Sequence, residues 1–303
     1  MSAGTTPAAA PLAAPTGWSV VSDYYEITKP RIAVLLLITT YAAMVMAARG
    51  LPPLGLTLLT LVGGALAAGS AGAFNCVIDR DIDAIMHRTM ARPTATGRIS
   101  PLAGFLFATA LGVISFTLLY RYVNPLAAWL SLAGNLYYVL IYTLWLKRTT
   151  TLNIVIGGAA GAIPPLVGWA AVAHTVGTPA LGLFALIFLW TPPHFWALAL
   201  VSNADYQRAN IPMLPTVRGA RRTKIEIFVY TIALVVASLA LTPLGVMGLW
   251  YFVPAAILGA VFLWDAWKVL TGPTQPFARA LFKYSLIYLA LICAAMVLDR
   301  VIR

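Results

Sequence analysis

Nine apolar stretches, most of them close to 20 residues long and separated by short polar segments, dictate what this chain of 303 residues can become. They fall at about 30–48, 53–78, 101–120, 124–145, 152–173, 178–200, 225–246, 249–268 and 281–299. A helix needs about 20 such residues to cross the hydrocarbon core of a bilayer. In lipid the backbone must satisfy its own polar groups, so a segment of this length and hydrophobicity is a helix. Charged residues make up 10% of the chain and hydrophobic ones 61%, far from the roughly 25% charge of a soluble domain. The spans consume nearly everything, and no stretch remains for a separate soluble domain. The expected fold is therefore an all-α polytopic membrane protein with about nine transmembrane helices in one bundle, occupying residues 23–303. Residues 1–22 are rich in Ala, Pro and Thr and hold no Lys or Arg. They lack the marks of a secretory or transit leader and read as a disordered tail.

The net charge of +11 would suggest a nucleic-acid partner in a soluble protein, but here the cations sit between apolar runs. Alternating the nine spans with the N-terminus in the cytoplasm puts 16 of the 20 Lys and Arg residues on that side. The other side receives Arg49, Arg121, Arg300 and Arg303. An excess of cytoplasmic cations is what sets orientation in polytopic proteins, so the charge reports topology and no nucleic acid is expected. Cys76 and Cys293 stand apart, without the spacing of a disulfide framework or thiolate metal site, and read as packing residues.

The acids are placed less evenly. Of nine Asp and Glu residues, three (Asp79, Asp81 and Asp83) fall within five positions at the end of the second span. Asn75, Asp79 and Asp83 recur every four residues, so on a helix they climb one face, while Asp81 points away. An amide and two carboxylates one turn apart suit a hard cation such as Mg²⁺, which takes few protein oxygens and completes its shell with water and phosphate. Arg88 and Arg92 follow in the next loop. Asp205 lies after the sixth span with Arg208 and Arg218 downstream, and Lys147 and Arg148 close the fourth span on the same side. Carboxylates holding a metal, with Arg and Lys neutralising phosphate oxygens, account for both signs at once. Ion pairs between loops, together with topology signals, are the plainer account.

Three features lie inside the spans. Asn135 and Tyr138 in the fourth suit either a helix-to-helix hydrogen bond or a ligand contact. Asn153 precedes Gly157, Gly158 and Gly161, small residues that admit a close neighbour. The sixth span carries Trp190-Thr191-Pro192-Pro193-His194-Phe195-Trp196. Its prolines release backbone carbonyls that need shelter from lipid, and His194 is an ionisable group within the membrane. A straight helix would put His194 roughly 16 Å from Asp205, too far to share a metal but within the span of a long substrate. A histidine hydrogen-bonded to another helix would fit the same position.

The motif Asn75-x-x-x-Asp79-x-x-x-Asp83, continued by Met86-x-Arg88-Thr89-x-x-Arg92-Pro93, resembles the first motif of the intramembrane prenyltransferases of the UbiA type. Further segments are similar to the branch of that family that farnesylates haem. They are Thr28-Lys29-Pro30-Arg31, Lys147-Arg148-Thr149-Thr150, Asn153 to Gly158, the His194 stretch, and Asp205-Tyr206 leading to Ile211-Pro212-Met213-Leu214-Pro215. Ala209 stands where many members of the wider family have a second carboxylate, which leaves Asp205 to hold or only orient a metal. The resemblance implies a bundle around a central cavity in a bacterial plasma membrane; the charge split, with both acid motifs following inward-running spans, puts the active site on the cytoplasmic face. The resemblance also implies Mg²⁺-dependent loss of diphosphate from farnesyl diphosphate, attack on a vinyl group of haem B, and addition of water to give haem O. By this resemblance Asn75, Asp79, Asp83 and Asp205 are the metal-binding and catalytic residues. Arg88, Arg92, Lys147, Arg148 and Arg218 bind diphosphate, and His194 is a candidate for haem. The expected partners are membrane lipid and a downstream haem-modifying enzyme or terminal oxidase assembly. A prenyltransferase for a quinone precursor would share the acidic ladder, and a transporter would place its polar groups nearer the midplane on repeated halves.

Overall fold

A computed structural model describes residues 17–302, and within them the chain is helical throughout, with no strand. Helix α1 (Gly17–Ile27) precedes α2 (Pro30–Ala48) and α3 (Leu54–Ile78), and the single turn α4 (Arg80–Asp83) follows. Helices α5 (Pro101–Tyr122) and α6 (Pro125–Leu136) lead into a π-helical stretch, Tyr137–Leu146, closed by α7 (Lys147–Thr149). Next come α8 (Asn153–Ala173), α9 (Thr178–Val201), the short α10 (Asn203–Arg208), α11 (Leu214–Ala240), α12 (Leu249–Thr271) and α13 (Thr274–Ile302). Among the described residues nine helices are long and apolar enough to cross a membrane, and most begin and end within a few residues of the expected runs. Of the expected tail, residues 1–16 lie outside the described residues. Residues 17–22 are not extended chain but the first turns of α1.

Local sequence explains several of the ends. Ser100 and Asn124 cap α5 and α6 by accepting from the N–H groups of Ala103 and Ala127, and proline follows each cap at the first helical position, where its missing N–H costs nothing. The seventh span begins at Leu214 rather than near 225. Its first turns carry Arg218, Arg221, Arg222 and Lys224, too polar for a hydropathy window, and the chain bends at Gly219, whose φ of 77° favours glycine.

The outer faces of the spans carry apolar side chains such as Leu102, Phe105, Leu106 and Val113 in the open, while small and hydroxyl residues meet inside. Ser70 donates to the Ala108 carbonyl and Ser115 to that of Gly63, tying α3 to α5 at two levels. At Gly168 on α8 an added Cβ would sit 2.1 Å from the Thr40 carbonyl oxygen on α2. Only glycine permits that crossing, the small-residue contact by which membrane helices approach.

The end-to-end alternation drawn from the charges reappears in the contacts. Lys29 reaches Asn75, Lys147 reaches Asp79, and Arg98 pairs with Asp23, all at one end. At the other end Asp299 on α13 accepts from the N–H groups of Gly248 and Tyr251, and Asn124 donates to the Ala170 carbonyl.

Candidate active site

The acidic ladder sits where α3 stops. Asp79 leaves helical geometry (φ −86°, ψ 7°) as the last cap of α3, and α4 restarts one residue later. The break does not disturb the spacing. Asp79 N–H still bonds the Asn75 carbonyl at 2.9 Å, and Asp83 N–H bonds that of Asp79 at 2.7 Å. Asn75, Asp79 and Asp83 therefore face inward, with Asp79 fully buried and Asp83 2% exposed, and Asp81 turns out with 61% of its side chain exposed.

Two charged carboxylates in a bilayer-embedded bundle need partners, and each has one. Lys147 pairs with Asp79 Oδ2, which also accepts from Asn75 Nδ2 at 2.7 Å. Arg92 bonds Asp83 at 2.7 Å. Asn75 is held on both sides: Lys29 donates to its Oδ1, and its Nδ2 also reaches Thr143 Oγ1 at 3.0 Å. Burial would lower the Arg92 guanidinium, but the Asp83 carboxylate more than offsets this and keeps it raised. Burial also pulls the Lys29 ammonium below the usual lysine range against the pull of Asp79 and Asp83.

Asp81 is not idle on the outer face. Arg148 grips both its oxygens at 2.8 and 2.9 Å and donates to the Ile78 carbonyl at 3.2 Å, closing the end of α3. That grip holds the Asp81 carboxyl down at about 2. The same guanidinium stands 3.5 Å from Asp79 Oδ1 without a hydrogen bond.

Asp205 sits on α10, after a second break at Ser202. It accepts from the Arg88 N–H at 3.4 Å and pairs with Arg208. Burial raises its carboxyl, and Arg208 with the N–H groups of Arg88 and His87 outweighs this, leaving it below its ordinary value. The loop after α4 thus lies against α10, and a recess of about 200 Å³ is lined by Asp81 and Ile82 of α4, Arg148 of α7 and Asn210 just after α10.

Not every expected residue joins. Arg218 lies exposed on α11, beside a different recess of about 510 Å³ that it lines with Leu214, Arg222 and Glu226. Arg88 contributes its backbone N–H to Asp205. His194 is 6% exposed and hydrogen-bonds Ser285 on α13. Helix α9 runs unbroken through Pro192 and Pro193 to Val201. Asn135 donates to the Ala67 carbonyl at 3.1 Å, a helix-to-helix bond, whereas Tyr138 stacks on Tyr142 at 5.3 Å.

Sequence reasoning missed Lys29 and Thr143 as part of the cluster. A cation immediately before the proline that opens a span was a usable signal for Lys29; a lone threonine in an aromatic run was none for Thr143. It also missed the ten-residue π-helical stretch. Such turns recur at functional sites because they re-aim side chains, and this one carries Tyr138, Tyr142 and Thr143 and delivers Lys147.

Among the described residues no three His, Cys, Asp or Glu side chains converge to hold a metal. The donor chemistry nevertheless fits a hard cation, because Asp79 Oδ1 is a buried carboxylate oxygen with no hydrogen bond. Such an atom is costly unless something occupies it.

Residues 36–292 match the model of the UbiA prenyltransferase family. A protoheme IX farnesyltransferase of Gloeobacter violaceus is 55% identical over 285 residues, 93% of each chain. That of a Picosynechococcus species is 52% identical, over 93% of this chain and 90% of its own. A UbiA homolog from Archaeoglobus fulgidus, solved with GPP and Mg²⁺, shares the fold with a TM-score of 0.62 at 15% identity, over 91% of this chain and 99% of its own. With its acids, cations and nine spans arranged in this way, the chain belongs to the UbiA prenyltransferase family, on the protoheme IX farnesyltransferase branch.

Proposed function

We propose that the protein transfers the farnesyl group of farnesyl diphosphate to a vinyl group of haem B, with addition of water, giving haem O and diphosphate. One observation carries the chemistry: a fully buried carboxylate, Asp79, with a spare oxygen, ringed by Lys147, Arg148 and, through Asn75, Lys29. The acceptor follows from relatives more than half identical over nearly the whole length.

The bond to break joins the allylic carbon to a diphosphate oxygen, and its electron pair leaves with diphosphate. The vinyl π pair then forms the new carbon–carbon bond, and water that loses a proton captures the cation left beside the porphyrin. Asn75, Asp79, Asp83 and Asp205 are the oxygen donors that would hold Mg²⁺, which when bound stabilises charge on the leaving diphosphate. Arg88, Arg92, Lys147 and Arg148 are the cations that would take up phosphate oxygens as that charge develops. The stacked rings of Tyr138 and Tyr142 stand next to Thr143 and offer aromatic faces that shield an allylic cation from early hydrolysis. His194 is the ligand we assign to haem iron.

The charge split supports a multi-pass protein of the bacterial plasma membrane with this site facing the cytoplasm. Haem O would pass to a haem-modifying enzyme or terminal oxidase assembly. Purified protein given haem B, farnesyl diphosphate and Mg²⁺ should yield a haem heavier by one farnesyl group and one hydroxyl. An unaltered haem, with prenylation of an aromatic quinone precursor instead, would overturn the assignment.

A further inference from the structure

The ring of His194 is held on three sides. Trp190 stacks on it with centroids 4.3 Å apart and Phe282 with centroids 4.7 Å apart, while Phe195 meets it edge-on at 4.9 Å. No carboxylate is among these neighbours, and a neutral imidazole carries one proton, on one nitrogen or the other. The hydrogen bonds decide which. Ser285, itself fully buried, has a single hydroxyl proton, and it donates that proton to the Phe282 carbonyl at 2.7 Å. At the 2.7 Å contact between Ser285 Oγ and His194 Nδ1 the hydroxyl is therefore the acceptor. His194 Nδ1 must be the donor. Its unshared pair then lies on Nε2, directed away from Ser285. The clamp is redundant, because Trp190 Nε1 also donates to the Ser285 backbone carbonyl at 2.8 Å and fixes α9 against α13 at this level.

We infer that Ser285 is a positioning residue: it fixes His194 as the Nδ1–H tautomer so that Nε2 is the atom presented to haem iron. This rests on the haem reading above and adds to it the residue that sets the ligand. Histidines that ligate metals keep their geometry by donating the other ring N–H to a fixed acceptor, and loss of that acceptor typically costs 10–100-fold in affinity. A serine back-bonded to its own helix is such an acceptor, since its proton is already committed.

The test uses full-length protein in lipid nanodiscs, titrated with haem B and read by the Soret band. The variants Ser285→Ala, Ser285→Thr and His194→Asn are compared, with farnesyl diphosphate binding as the check on folding. Ser285→Ala should weaken haem binding by about 10-fold or more and leave farnesyl diphosphate binding unchanged, and Ser285→Thr, which keeps the hydroxyl, should restore most of it. His194→Asn retains a donor at the Nδ1 position but no Nε2, so it should lose the histidine-ligated spectrum although its bond to Ser285 survives. In wild-type protein, ¹⁵N-labelled histidine should show Nδ1 protonated for the signal that disappears in His194→Asn, a measurement that needs no stable Ser285 variant. A proton on Nε2, wild-type haem affinity in Ser285→Ala, or an unchanged spectrum in His194→Asn would each overturn the inference. Failure of wild-type protein to make haem O is a separate result, and it would count against the proposed reaction rather than the tautomer.

Discussion

Lys147 and Asp79 form the pair on which the site's charge balance turns, and removing one partner should cost more than removing both. In Lys147→Met the Asp79 carboxylate remains with no exposed surface. It keeps Asn75 Nδ2 at 2.7 Å and the Arg148 guanidinium at 3.5 Å. Breaking a buried pair from one side costs about 3–5 kcal/mol, and those two remaining partners place this case at the low end, about 3 kcal/mol. In Asp79→Asn the orphan is Lys147, whose side chain is 14% exposed and can extend toward water, so the loss should be smaller, about 1–2 kcal/mol. The double variant carries no unpaired charge. A pair replaced by neutral groups is often near neutral in stability, so it should lie within about 1 kcal/mol of wild type, and the coupling in the cycle should exceed about 2 kcal/mol. Unfolding of the four proteins in micelles without added metal measures this, while product formation is followed separately. None of the three variants should transfer farnesyl, because the Asp79 carboxylate or the Lys147 ammonium is gone. Losses that add to within about 0.5 kcal/mol would show that the pair is not a buried unit, and wild-type-like turnover in Asp79→Asn would remove Asp79 from the chemistry.

Two further outcomes are expected. Asp83→Asn should abolish transfer, whereas Asp81→Asn should be milder, because Asp81 faces outward and serves to hold Arg148; equal damage from the two would contradict the inward placement of the ladder. Cysteine introduced at position 87 or 207 should be labelled from the cytoplasmic side of cells and not from outside, with little background because Cys76 and Cys293 are buried; labelling from outside would reverse the orientation.

The spans were legible because bilayer thickness is a constraint on length and composition alone, and it can be read without knowing any contact. What the sequence hid is set by contacts. The helical period put Asn75, Asp79 and Asp83 on one face, and the second apolar run ended at 78, where α3 ends; what left no mark in the sequence was the restart as α4, since the i to i−4 bonds continue across the break. Tyr137–Leu146 contains no Gly or Pro to announce a change of helix, and its π geometry belongs with the meeting of Thr143 and Lys147 with α3. Arg218 was grouped with the site by its place in the chain after Asp205, but the bend at Gly219 and the exposed face of α11 set it beside another recess. Ser285 was invisible: a serine in the last span has no meaning until α13 is laid against α9.

The crowding of both signs at one end follows from a single requirement. The site as proposed takes up a dication and a diphosphate together, and its own charges must be largely compensated whether it is empty or full, because uncompensated buried charge is costly in a bundle embedded in lipid. Carboxylates alone would satisfy the dication and leave the empty site strongly negative. Here Lys147 and Arg92 sit on Asp79 and Asp83, so two of the cations proposed to receive phosphate oxygens balance the carboxylates beforehand, and Arg208 balances Asp205 in the same way. On this view the acids and the arginines are one device, and the cation nearest each carboxylate has to move only from oxygen on carbon to oxygen on phosphorus.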